Sequence, residues 1–370
     1  MRCHAHERTS TRCLKKHTFF LKTFSSSCII SLKEVGSMNK ITIYDVALRA
    51  KVSLATVSRA INNPEKVKPD TRERVLRVIE DLGYKPNAFA RGLASRKSTT
   101  VAVIVPDMSR ASIAEMMNGI ADIARVYKYS ILLYILDQEE LNQEEILKEI
   151  IAAQVDGILY LNDEVTPDQY EFLQRMRDEY RIPVVLTNTM YPDHDDIPSV
   201  SIDYEKAAYE VTKKLVDEGR RNIFMVSTVR KYMVNDLKES GYLRAIEEAG
   251  LTPHIMRTSG RVNVNTEHFH EYFRNHKVDG VVAVRDSIAV SFMNVARQNH
   301  VKIPADISVA GFQNTKYAIL ARPALTCVDV PIYDIGAVSM RLLTKLMNQE
   351  EVTTPEVILD HSLIARGSTL

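Results

Sequence analysis

Thirteen glycines in 370 residues supply no GxGxxG after a strand and no GxxxxGK, so the chain lacks the backbone cradle that a dinucleotide or a nucleoside triphosphate needs. That disfavours a nucleotide-dependent enzyme, the commonest use of a doubly wound sheet. Cysteine is equally scarce. Three of the four, Cys3, Cys13 and Cys28, precede residue 38, and Cys327 is alone in the rest, which excludes a disulfide scaffold and fits a reducing, cytoplasmic compartment. No stretch reaches 18 uninterrupted apolar residues, so no membrane span is expected. The histidines of TEHFHEYFRNH, His268, His270 and His276, do not form HExxH and read as solvated helix-face residues. Neither a metal nor another cofactor is expected, and no residue is assigned a catalytic role.

Residues 1–37 stand apart. FFLKTFSSSCIISL resembles a secretory signal, but Lys22 and a serine cluster interrupt its apolar run. This segment is expected to be an extension, either disordered or the product of a start assigned too far upstream, with the folded chain beginning at Met38.

The net charge of +1 conceals a strong asymmetry. Residues 38–97 hold 13 Lys and Arg against 6 Asp and Glu, and residues 1–37 hold 7 against 2. Residues 98–370 are therefore left with 28 against 39, a net of −11. A basic head on an acidic body is the electrostatic pattern of a chain that neutralises phosphates, with affinity that falls steeply as salt rises.

Within the head, TIYDVALRAKVSLATVSRA (42–60) spells two short helices and a tight turn. Thr42 with Asp45 three positions on makes a capping-box start, and Val46, Ala47 and Ala50 share one face. Ser53 can cap the second helix, which turns Val57 and Ile61 inward and presents Leu54, Ala55, Ser58 and Arg59 outward. A third helix opens at Pro69, carries Val75, Ile79 and Leu82 as its apolar stripe and stops at Gly83. Three short helices with the second exposed form a helix-turn-helix module, expected over residues 38–86. The segment YKPNAFARGLASRKSTT that follows reads equally as a basic linker or as a short helix opened by Pro86 and Asn87, and residues 87–98 are assigned to it.

From Thr99 the pattern changes to strands alternating with amphipathic helices: TTVAVIVPD, MNGIADIARVYKY, YSILLYILD, EEILKEIIAAQ, VDGILYLN and IPVVLTN, then a second series from VSIDYEKAAYEVTKKLVDEGRRNIFMVST to ISVAGFQN. Two such series imply an α/β core of two doubly wound subdomains with a cleft between them.

Residues Ile41 to Ser95, and in particular VKPDTRERVLRVIEDLGYKPNAFARGLAS (67–95) together with PIYDIGAVSMRLLTKLMN (331–348), resemble the lactose/galactose repressor (LacI/GalR) family of bacterial transcription regulators, and within it the carbon-catabolite regulators. The resemblance implies a homodimer that binds a pseudo-palindromic operator in double-stranded DNA. It also implies a periplasmic-binding-protein-like core, with subdomain one near 99–199 and 326–349 and subdomain two near 200–325 and 350–370. The family's base-reading positions fall on Leu54, Ala55 and Arg59. Arginine can bond guanine O6 and N7 together, whereas Leu54 and Ala55 offer apolar contact such as to thymine methyls. Thr42, Tyr44, Thr56 and Asn62 are expected on phosphates, with Tyr44 open to a second reading as a ring packed on the first helix. By the same resemblance residues 87–98 form a hinge helix in the minor groove, where Leu93, with Ala90 beside it, wedges between base pairs.

Two regulatory inputs follow from the resemblance. Sugar-binding relatives place an aspartate and an arginine in the cleft where this chain has Gln313 and Lys238, and a neutral amide accepts weaker bonds from hydroxyls than a carboxylate does. The catabolite regulators answer instead to the serine-phosphorylated, histidine-containing phosphocarrier protein (HPr-like), through positions that fall on Asp306, Lys316, Met340, Arg341 and Lys345. The cations would meet the phosphoserine and Met340 an apolar patch. The same helix also reads as an amphipathic core helix with solvated basic residues, and Lys316 lacks the fork of the family's arginine. The second input is a small sugar or sugar phosphate in the cleft. Expected function is thus a transcription regulator of carbon-catabolite genes, not an enzyme.

Overall fold

The computed structural model describes residues 41–84, 98–106, 108, 110–136, 143–162, 165–189, 196–230, 232–275 and 277–370. The chain divides into two compact units near residue 87.

In the first unit α1 (Ile43–Ala50), α2 (Leu54–Asn62) and α3 (Pro69–Leu82) follow one another, with a tight 3-10 turn at Pro64–Lys66. Val46, Ala50, Val57, Ala60, Val75, Val78 and Tyr84 are buried together, with Ala47, Ile61, Ile79 and Leu82 packed at their margin. The third helix thus buries Val75 and Val78, and the expected Ile79 and Leu82 flank them. Ser53 caps α2 by accepting from the Thr56 N–H at 3.1 Å. Gly83 ends α3 at φ +62°, a left-handed conformation that costs glycine nothing.

The second unit holds two six-stranded sheets. The first contains β1 (Thr100–Val105), β2 (Ser130–Ile135), β3 (Gly157–Leu161), β4 (Val184–Thr187) and β5 (Ser199–Ile202). The second contains β6 (Ile223–Thr228), β7 (His254–Thr258), β8 (Gly280–Ala283), β9 (Ser308–Phe312) and β10 (Thr326–Asp329). Near the C-terminus β11 (Glu356–Leu359) pairs with β5, and β12 (Ser362–Ile364) pairs antiparallel with β10. The orders are β11-β5-β4-β3-β1-β2 and β12-β10-β9-β8-β6-β7, doubly wound in both cases. Between the strands lie α4 (Ala111–Val126), α5 (Gln143–Ala153), α6 (Pro167–Asp178), α7 (Tyr204–Asp217), α8 (Met233–Glu248), α9 (Val262–Asn275), α10 (Asp286–Gln298), α11 (Lys316–Leu320) and α12 (Ile332–Met347).

The topology corrects the expected subdomain limits in three places. β5, expected to open the second series, pairs with β4 in the first sheet. The strand at 326–329, expected to return to subdomain one, pairs with β9 in the second sheet, and only α12 returns. β11 then rejoins the first sheet, although residues 350–370 were assigned to the other. The chain therefore crosses between sheets after β5, after β10 and between β11 and β12.

The return of α12 depends on two glycines. A Cβ on Gly336 would overlap the Met116 carbonyl oxygen of α4, and one on Gly119 would overlap the Tyr333 carbonyl of α12, so the helices touch backbone to backbone. Gly336→Ala is expected to force them apart and destabilise the core by about 1–3 kcal/mol, the usual cost of overpacking. Thermal unfolding of the two proteins checks this, and an unchanged midpoint would show that the crossing yields freely.

Candidate nucleic-acid interface and effector cleft

The Asp45 carboxylate accepts from the Thr42 N–H and from the Thr42 hydroxyl, both at 2.7 Å, which fixes the start of α1. These bonds, the backbone one first, hold the Asp45 pKa below its ordinary value. The Thr42 hydroxyl proton is thereby committed to Asp45, so a Thr42–phosphate bond through that proton would require giving up the cap. Thr56 shares its hydroxyl with Ser53 at 2.8 Å and is half-buried, while Asn62 is exposed and reaches Ser58 at 3.4 Å. Tyr44 is 70% exposed, against the reading in which its ring packs on the first helix.

The outward face of α2 carries Leu54, Ala55 and Arg59, all exposed, while Val57 and Ala60 anchor the opposite face. Among the described residues the Arg59 guanidinium has neither an ion pair nor a hydrogen bond, so its five N–H donors are available to an acceptor outside the chain. Asp45, Asp70 and Glu73 lie on other helices of the unit, and none of them pairs with it. Such a face is capped at its start by Ser53 and carries its cation, Arg59, in the last turn. Ala90 and Leu93 of the expected hinge lie outside the described residues.

In the core, Lys238 on α8 is 3% exposed. Its ammonium bonds the Val284 carbonyl at 3.2 Å and lies over the rings of Tyr204 (4.7 Å) and Phe312 (4.9 Å). It sits near the carboxyl ends of β8 and β9, the place where doubly wound sheets bind ligands. Gln313 follows directly on β9, half-buried and at φ +92°. Beside Lys238, Glu239 accepts a bidentate pair from Arg257, both bonds at 2.7 Å, and a third bond from Ser227 at 2.6 Å. Asp286, nearly fully buried, accepts the Thr315 N–H at 2.7 Å, and burial raises its pKa.

The five expected docking residues do not form one surface. Met340 is completely buried in the core formed with α4 and the first sheet, a correction with a simple cause: neighbours on a helix point about 100° apart, so Met340 and Arg341 cannot share a face. Arg341 and Lys345, one turn apart, are both exposed, with no ion pair among the described residues. Asp306 is exposed and accepts the Lys302 N–H at 2.8 Å in the loop before β9, whereas Lys316, also exposed, follows the other end of that strand. Lys316 instead lines a groove of ≈700 Å³ with Glu115, Asn118, Asp122, Arg125 and Tyr333, where the Tyr333 hydroxyl donates to Asp122 at 2.9 Å.

A capped helix-turn-helix unit joined to a two-sheet, periplasmic-binding-protein-like core is the architecture of a ligand- or partner-responsive DNA-binding regulator. Residues 42–87 match the bacterial regulatory proteins of the lacI family, and residues 212–369 match the periplasmic binding protein-like domain. Catabolite control protein A of Priestia megaterium is 42% identical over 334 residues, covering 89% of this chain and 99% of that protein. Among solved structures, the transcription regulator CcpA of Lactococcus lactis is 33% identical, with a TM-score of 0.66, over 73% of this chain and 99% of that one. A lac repressor dimer bound to operator and an anti-inducer shares 21% identity over 89% of this chain and 99% of its own, with a TM-score of 0.80, a likeness of fold. The chain belongs to the LacI family of bacterial transcription regulators and is similar in particular to catabolite control protein A. Its relatives are regulators, not enzymes. Among the described residues no helix is long and apolar enough to cross a membrane.

Proposed function

We propose that this regulator binds a pseudo-palindromic operator of carbon-catabolite genes as a homodimer, and that docking of a serine-phosphorylated, HPr-like carrier on α12 sets its activity. The observation that carries the second half is the pair Arg341 and Lys345: two cations one turn apart, exposed and without ion pairs among the described residues, on a helix whose opposite side is core. A phosphoserine of nearly two negative charges has strong use for two such donors. Lys316 stands apart from this pair, in the groove it lines with Tyr333, Glu115 and Asp122.

The dimer reading rests on β2. It is the outer strand of the first sheet, and Leu132, Leu133 and Ile135 stand 37%, 42% and 54% exposed on it, next to Val126 at 72%. An apolar edge strand left open invites unwanted pairing, and covering it with a second copy removes that hazard. Leu133→Lys is expected to shift the protein toward monomer and to weaken operator binding, because one head neutralises fewer phosphates than two. Sedimentation of the variant checks it. A dimer of wild-type affinity would place the interface elsewhere.

Operator binding measured with and without the phosphorylated carrier tests the proposal as a whole. A carrier that leaves operator affinity unchanged would shift the signal to a sugar or sugar phosphate in the cleft of Lys238 and Gln313.

A further inference from the structure

Two tyrosine hydroxyls of the second subdomain are hydrogen-bonded to residues of the first. Tyr232, the N-cap residue of α8, accepts at its hydroxyl from the Arg110 guanidinium at 3.1 Å, and Arg110 is the N-cap residue of α4. Tyr204, the first residue of α7, donates its hydroxyl to the Asn188 side-chain oxygen at 2.6 Å, and Asn188 follows β4 directly. Arg110 follows β1. Both partners therefore belong to the first sheet, while α7 and α8 pack on each other beside the second.

Each ring is held on its own side before its hydroxyl reaches across. The Lys238 ammonium lies 4.7 Å from the centre of the Tyr204 ring and bonds the Val284 carbonyl, and the Arg285 guanidinium stands 5.5 Å from the centre of the Tyr232 ring. Tyr204, Tyr232 and Asn188 are all buried. A buried phenol without a partner is costly, so separating the subdomains must leave both hydroxyls to water. The two sheets are joined only where the chain crosses after β5, after β10 and between β11 and β12, the layout on which subdomains hinge.

We propose that Tyr204–Asn188 and Arg110–Tyr232 form a latch, a pair of bonds that holds the two subdomains together in the absence of any ligand and sets how readily the core changes shape when operator or partner engages it. The two bonds divide the work. Tyr204 stands at the crossing after β5, so its bond fixes the pivot, while the Arg110–Tyr232 bond joins the starts of two helices and fixes the gap between them. In a core with two arrangements, a bond present in only one of them biases the equilibrium by its own strength, and whatever stabilises the other must work against it. The latch is independent of carrier docking, since none of its four residues lies on α12.

The test is backbone hydrogen exchange on the full chain without DNA or carrier, read at the first turns of α4 and α8. Tyr232→Phe removes one hydroxyl and keeps the ring, and it is expected to speed exchange about fivefold in α4, on the opposite side of the cleft, as well as in α8. Arg110→Gln should do the same in α8. Combining the two should add little to either alone, because both break one bond, whereas Tyr204→Phe should add its full effect to that of Tyr232→Phe. Operator affinity without carrier should move away from wild type by about threefold or more when Tyr204→Phe is joined to Tyr232→Phe, since the latch biases the arrangement that the operator meets. Unchanged far-ultraviolet circular dichroism shows that the variants fold. Exchange that rises only on the side of the substitution, additive effects of Arg110→Gln and Tyr232→Phe, or wild-type operator affinity in the folded double phenylalanine variant would overturn the latch. The exchange results stand whichever operator or carrier the protein uses.

Discussion

Arg59→Ala is expected to erase most of the preference for operator over scrambled DNA while leaving most of the non-specific affinity in place. Arg59 is exposed on α2 with no partner among the described residues, and the only charge it removes is one of the 13 basic residues in 38–97. A bidentate arginine–guanine contact discriminates by about 1–3 kcal/mol, or roughly 5- to 150-fold per half-site. Loss of one charge lowers non-specific binding only slightly, because that term is shared among all phosphate contacts. The measurement is fluorescence anisotropy on an operator selected by the wild type and on a scrambled duplex, at several salt concentrations. A variant that keeps the wild-type ratio between the two duplexes would transfer base reading to Leu54, Ala55 or residues outside α2. Arg59→Lys separates the two contributions further: it restores the charge without the fork, so affinity recovers more than preference does.

The head was legible in the sequence because everything that shapes it is local. Helix period, the Thr42–Asp45 box, the Ser53 cap and the Gly83 stop act within four residues, and each is in the structure as expected. The core was legible as two doubly wound sheets for the same reason. Which sheet a buried strand joins is a different matter, since residues 326–329 and 356–359 have the same apolar character whichever neighbours they meet. Only pairing with β9 and β5 decides it. The convergence of Arg110, Arg230 and Arg285 on the Tyr232 ring lay beyond the sequence altogether, because strands of two different sheets bring them together. No spacing between them carries a signal.

Met340 is ruled out as a docking residue by its burial, for a geometric reason that itself sharpens the proposal. A set defined by position along the chain mixed faces of one helix and ends of one strand, and the structure separates Arg341 and Lys345, which are open, from Met340, which is core. Arg341→Glu combined with Lys345→Glu is therefore expected to abolish the response to the phosphorylated carrier and to leave basal operator binding and folding unchanged. Two charge-assisted bonds to phosphate are replaced by repulsion, which should weaken docking by about a hundredfold or more. A partner shifts a regulator only by its differential affinity for the operator-competent state, so the lost response should match the lost docking energy. Met340→Ala provides the contrast. It should lower stability by about 2–5 kcal/mol, as buried methionine deletions do, with no selective effect on the carrier response of the fraction that remains folded. Operator affinity is followed while wild type and variants are titrated with phosphorylated and unphosphorylated carrier. An equal response from wild type and the double reversal would reject α12 as the docking face, and a selective loss in Met340→Ala would mean that the helix rolls its buried side outward when the partner binds.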